Sequence, residues 1–197
     1  MGAKARFFYA LRPDPRAADE LGRLAARLAA AIGGRPLAGE DIHLTLAFVG
    51  ERLADDAAAL HALLAGLAPQ WPPLALERLG SFGRGLWWIG PTDPRGASEA
   101  AALPQAGAAT GAAPRPWPAR LADEVQQRLA AAGIAFDRRP LHLHATLVRG
   151  ARRDAKGPFP ALDEALPIAP VRWSLALGWS DAGSSPQRRY RWREAPG

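Results

Sequence analysis

The 197-residue chain sets 25 Lys and Arg against 19 Asp and Glu, a formal charge of +6, with 48% hydrophobic residues and no cysteine. That balance suits one folded unit with its own core, and it excludes disulfides, thiolate metal sites and thiol nucleophiles. The positive excess favours an anionic partner, and nearly all of it is Arg, whose planar fork suits phosphate; a genome-wide preference for Arg over Lys would give the same bias.

Residues 5–11, Ala-Arg-Phe-Phe-Tyr-Ala-Leu, read as a buried strand closed by Pro13. Its apolar run is too short for a signal-peptide core or a membrane span, and Arg6 removes a myristoylation context at Gly2, so a cytoplasmic protein with no membrane attachment is expected. A helix is predicted over 15–32 from the stripe Leu21, Leu24, Leu28 and Ile32, with Gly33-Gly34 as its stop.

From Ile42 to Val49 the pattern alternates: Ile42, Leu44, Leu46 and Phe48 point inward, and His43, Thr45 and Ala47 outward. Asp55 or Asp56 can cap a second helix reaching about Leu67, and Leu74–Leu79 and Leu86–Ile89 read as a hairpin joined through Ser81-Phe82-Gly83-Arg84-Gly85. Residues 91–118 turn to Ala, Gly and Pro without periodicity, the composition of a flexible insertion.

Helical spacing returns near Pro118 with Leu121, Val125 and Leu129 and stops at Gly133. A strand over His142–Arg149 follows, with Leu143, Ala145 and Leu147 inward and His142, His144 and Thr146 outward. Strands near Val171–Trp179 and Arg188–Trp192 close the chain. The order of elements is not that of a doubly wound parallel sheet, so an α+β architecture in a single domain over 1–197 is expected.

Among four histidines, two begin the same four-residue pattern, His43-Leu44-Thr45-Leu46 and His144-Ala145-Thr146-Leu147. With so few threonines, random placement would produce two such pairs in roughly two or three sequences per thousand. In each strand the imidazole and the hydroxyl two residues on share a face while leucine or alanine anchors the other. Opening a cyclic phosphodiester needs a base for the nucleophile and an acid for the departing oxygen on opposite sides of phosphorus. Two histidines supply both near neutral pH, and threonine hydroxyls can donate to the non-bridging oxygens.

The sequence resembles the two-histidine (2H) phosphoesterase superfamily, and within it the RNA 2′,3′-cyclic phosphodiesterases historically called bacterial and archaeal 2′-5′ RNA ligases. The resemblance rests on Arg6-Phe7-Phe8-Tyr9-Ala10-Leu11, Ile42-His43-Leu44-Thr45-Leu46-Ala47-Phe48-Val49-Gly50, Leu86-Trp87-Trp88-Ile89-Gly90 and Arg139-Pro140-Leu141-His142-Leu143-His144-Ala145-Thr146-Leu147-Val148-Arg149. It implies a bilobal fold with two antiparallel sheets facing across a central cleft, helices outside, and hydrolysis of a terminal 2′,3′-cyclic phosphate to a 2′-phosphate. His43 is then similar to the family's general acid and His144 to its general base, with Thr45 and Thr146 on the phosphate. The implied partner is an RNA end or oligonucleotide bearing a 2′,3′-cyclic phosphate, the implied state a monomer, and neither cofactor nor metal is implied.

Other readings stay open at this point. His142 flanks the second motif and either orients substrate or meets solvent; with His43 and His144 it could also complete a three-imidazole zinc site. Strict alternation sends Arg149 to the core face, so it reaches phosphate only if the strand ends or bulges before it. His61 is assigned no chemistry, the tryptophans 87, 88, 173, 179 and 192 read as core, and the basic run Arg188–Arg191 reads as a solvated edge. RNA ligation through the same site, with a 5′-hydroxyl replacing water, and non-catalytic binding of RNA ends are the rival functions.

Overall fold

The computed structural model describes residues 2–92, 116–151, 165–170, 172–181 and 190–197. In chain order these form β1 (Lys4–Pro13), α1 (Pro15–Ile32), β2 (Arg35–Pro36), a 3-10 turn (Gly39–Asp41), β3 (Leu44–Leu53), a second 3-10 turn (Ala54–Asp56), α2 (Ala57–Ala62), β4 (Gln70–Trp71), β5 (Arg78–Ser81), β6 (Trp87–Gly90), α3 (Trp117–Ala131), β7 (Ala145–Arg149), β8 (Trp173–Asp181) and β9 (Arg191–Glu194). The α+β class holds. Among the described residues no helix is long and apolar enough to cross a membrane.

Helix α1 begins and ends where its sequence dictates. The Asp14 carboxylate accepts from the Ala17 N–H at 3.1 Å and Pro15 occupies the first turn, where a missing N–H costs nothing. Gly33, at φ 76°, ends α1. Leu21, Leu24, Ala25, Leu28 and Ile32 bury the inner face of α1, and Leu121, Ala122, Val125 and Leu129 that of α3. α2 is shorter than predicted: after Ala62 the chain tightens into turns, and Arg128 of α3 donates to the carbonyls of Leu63 and Ala65, at 3.0 and 2.6 Å.

The strands run antiparallel in the order β4-β8-β1-β3-β7-β6-β5, with β2 added to β7 and β9 to β8. The two sheets expected from the sequence are therefore two wings of one sheet. They join where β3 meets β7 at the single pair Leu44 and Ala145, and two central strands that exchange even one ladder pair count as one sheet. The helices cross this seam beneath the sheet: α1 of the first half lies under β7, and α3 of the second half under β3. Each half thus covers the other's central strand and, with β2 of the first half paired to β7, holds the wings together.

β3 does not keep the predicted alternation. Phe7 pairs with Gly50 but Phe8 with Phe48, leaving Val49 unopposed, and the step from Tyr9–Ala47 to Ala10–Thr45 leaves Leu46 unopposed. Each extra residue reverses the side-chain phase. Ala47 and Val49 therefore point inward, and Phe48, expected in the core, is 42% exposed.

The hairpin forms as β5 and β6, with Ser81 opposite Trp87, but its first strand starts later than predicted; Leu74 and Leu76 are buried outside it, and Leu76 bridges to Ile168. β3 and β7 likewise begin only after His43 and His144. Of the insertion expected at 91–118, residues 93–115 lie outside the described residues, and its end is already helix, α3 starting at Trp117. Val171, Arg188 and Arg189 also lie outside them, and the last strand starts at Arg191.

Candidate active site at the seam between the wings

Leu44 and Ala145 are paired and wholly buried, so both face the core on the same side of the sheet. Their neighbours His43, Thr45, His144 and Thr146 must then share the opposite face, where all four are half-buried. His43 and His144 each immediately precede one member of that pair, and Thr45 and Thr146 each follow one. The two imidazoles lie close enough for His144 to act electrostatically on His43.

Both rings are held alike. His43 Nδ1 lies 2.7 Å from the Asp41 carbonyl oxygen, and His144 Nδ1 lies 2.7 Å from the His142 carbonyl oxygen. A carbonyl can only accept, so each Nδ1 carries a proton and donates it. The neutral tautomer is thereby fixed and Nε2 is left as the working nitrogen. The repeated sequence motif extends to a repeated tautomer lock two residues upstream, possible because the chain before each strand is still irregular.

Aromatic rings form the surroundings. Phe8 stacks on His43 with centroids 4.8 Å apart, while Tyr190 and Trp192 meet its ring edge-on, each at 5.1 Å. Around His144, Phe82 stands edge-on at 4.7 Å and Trp88 at 6.3 Å. A glycine makes room in each wing. Gly178 pairs with Phe8, and a Cβ there would come within 2.6 Å of the Phe8 and Trp192 rings. Gly80 pairs with Trp88, and a Cβ there would run into the indole. The tryptophans predicted as core thus divide: Trp87 and Trp173 belong to it and Trp179 packs against it, whereas Trp88 and Trp192 wall the histidines.

Arg149 reaches this face because β7 bulges. Trp88 pairs with Thr146 but Trp87 with Val148, leaving Leu147 unopposed by β6 and reversing the phase beyond it. The guanidinium acts electrostatically on both His43 and His144, and its Nη2 donates to the Tyr190 hydroxyl at 3.0 Å. His142 contributes its carbonyl to the site. Its ring packs edge-on against Phe82 and Trp88, at 5.0 and 5.1 Å, and its Nε2 is buried with no hydrogen-bond partner among the described residues. His61 Nε2 donates to the Glu194 carbonyl, 2.6 Å away, pinning α2 to β9.

Burial pulls His43 down from 6.5 to about 4; Arg149, His144 and Arg12 push the same way, against the favourable Asp41 carbonyl. His144 is also lowered, first by burial and then by His142 and Arg149, against the His142 carbonyl. Burial and Arg78 lower His142. An anion placed among these groups opposes every charge term and raises both imidazoles towards the range where one can hold a proton.

The family described as LigT like Phosphoesterase matches residues 11–88, which include the first His-x-Thr pair. The RNA 2′,3′-cyclic phosphodiesterase of Escherichia coli (strain K12) is 28% identical over 165 residues, 83% of this chain and 77% of that protein. Over these residues the chain is similar to the LigT-like phosphoesterases. Among solved structures, E. coli LigT in its apo form superposes with a TM-score of 0.65 at 24% identity, covering 98% of this chain and 95% of that one. E. coli LigT complexed with 3′-AMP gives the same TM-score and identity over 97% and 95%.

The seam brings His43, Thr45, His144 and Thr146 to one face, with the Arg149 guanidinium acting on both imidazoles. Among the described residues no group of three or more His, Asp or Glu side chains is arranged to hold a metal ion. Sequence reasoning missed Phe8, Phe82 and Tyr190. Phe8 sits in an unbroken apolar run that hides which face each ring takes, Phe82 in a turn, and Tyr190 beside a basic tail with no periodicity.

Proposed function

We propose that this protein is an RNA 2′,3′-cyclic 3′-phosphodiesterase, opening a terminal 2′,3′-cyclic phosphate to a 2′-phosphomonoester by metal-independent acid and base catalysis. The observation that carries this reading is the matched pair of tautomer locks, which turn two Nε2 atoms onto one face from neighbouring strands. The E. coli relative's activity supports the substrate class.

His144 Nε2, neutral, takes the proton from the attacking water. His43 Nε2, protonated once the anionic substrate is bound, gives its proton to the departing O3′. The P–O2′ bond is kept and the P–O3′ bond breaks, so the product carries the phosphate on O2′ and a free 3′-hydroxyl. Thr45, Thr146 and Arg149 hold the non-bridging oxygens, whose charge rises in the transition state. His142 orients His144 through its carbonyl. The acting species is a cytoplasmic monomer on RNA ends.

An oligonucleotide ending in a 2′,3′-cyclic phosphate, incubated in excess chelator, should be converted wholly to the 2′-phosphate. Loss of turnover in chelator, or a 3′-phosphate product, contradicts the scheme.

A further inference from the structure

One residue touches both halves of the site. Tyr190 accepts the Arg149 Nη2–H on its hydroxyl at 3.0 Å, and its backbone N–H donates to Asp41 Oδ1 at 3.3 Å. The carbonyl of that same Asp41 holds His43 Nδ1 at 2.7 Å. The Tyr190 ring stands edge-on to His43 and to Phe8, at 5.1 and 5.2 Å. Arg149 belongs to β7 and Asp41 to the turn before β3, so the C-terminal segment adds a side-chain link between two groups whose strands meet at Leu44 and Ala145 and, through β2, at Arg35 and Arg149.

We infer that Tyr190 is a positioning residue that fixes the Arg149 guanidinium for phosphate while bracing the turn that orients His43; this rests on the function proposed above. The chemistry of the hydroxyl decides the assignment. An arginine beside an anion site needs its long side chain held, yet a carboxylate partner would cancel the charge that the phosphate is to meet. A neutral phenol accepts one N–H, leaves the cation's charge intact, and leaves four of the five guanidinium N–H groups for substrate or water. The second contact, through the backbone N–H, does not depend on the side chain, so the two roles can be separated by substitution.

Tyr190→Phe removes the hydroxyl and keeps the ring and the N–H. It should lower kcat/KM for a 2′,3′-cyclic-phosphate dinucleotide about tenfold, chiefly through KM, as loss of one charge-assisted hydrogen bond does. In an Arg149→Ala background the same change should cost less than about twofold, because the group it positions is gone. The affinity for inorganic phosphate, measured by calorimetry, should follow the same cycle. Equal losses in both backgrounds, or no loss in the parent, overturn the assignment. If the parent protein fails to hydrolyse the dinucleotide, the proposed function falls, and the phosphate cycle alone still decides whether Tyr190 acts through Arg149.

Discussion

The surroundings of His43 and His144 differ although the rings are held in the same way. His144 is walled by its own wing, Phe82 and Trp88 coming from the adjacent hairpin. His43 is walled by Phe8 of β1 and by Tyr190 and Trp192 of the C-terminal segment, and Arg12 lies 4.9 Å over the Trp192 ring. His43 thus combines burial with two arginines and the second imidazole, and falls to about 4. A short local motif fixes which nitrogen works; distant packing fixes how tightly it holds a proton.

The strongest way to break the comparison is to remove either ring. His43→Ala and His144→Ala should each lower kcat by about 10²–10⁴-fold with the cooperative unfolding transition retained, since each removes one proton-transfer partner. Near-parental turnover in either variant would show that the pair does not act together.

A subtler break leaves both rings in place and disturbs one wall. Gly178→Val places methyl groups where Phe8 and Trp192 lie, and Gly80→Val does so against Trp88. The first should displace His43 alone and the second His144 alone, each costing about 10²-fold in kcat, the scale of a 1 Å misplacement. NMR of the imidazole resonances checks which ring has moved; displacement of both rings by either change would contradict the independence of the two walls.

The charge difference can be sharpened instead. Arg149 lowers both imidazoles, so Arg149→Ala should raise both while weakening phosphate binding. Direct titration by NMR reads the shift. In the parent protein the pH profile of kcat/KM should have its acid limb near 4 and its alkaline limb below 6.5, and that of kcat should lie at higher pH, because the bound anion opposes the arginines. Coincident profiles would show that substrate charge does not retune the pair.

The smallest effect is on stability. A buried neutral histidine binds its proton more weakly folded than unfolded, so between 6.5 and about 4 the unfolded chain takes up more protons and stability falls as pH falls. His43→Asn should flatten that slope in denaturant titrations across the window; an unchanged slope would show that His43 keeps its ordinary proton affinity in the fold.

The two His-x-Thr pairs and their shared face were legible because alternation needs only neighbouring residues. Helix α1 was legible to its ends for the same reason: Asp14, Pro15 and Gly33 act locally. Phe48 and Arg149 were not, since the bulges that turn them outward are defined by the pairing of β3 with β1 and of β7 with β6. The two-residue strands β2 and β4 have no periodicity to read, and they exist because β7 and β8 offer them edges. Tyr190 was hidden most deeply, because both of its partners lie more than forty residues away.

Titration of inorganic phosphate into protein carrying ¹⁵N-labelled histidine tests the central claim most directly. The Nε2 signals of His43 and His144 should move together with one dissociation constant, while both Nδ1 atoms keep their protons. Movement of only one ring, two different constants, or a bare Nδ1 on either histidine would contradict a single phosphate held between them.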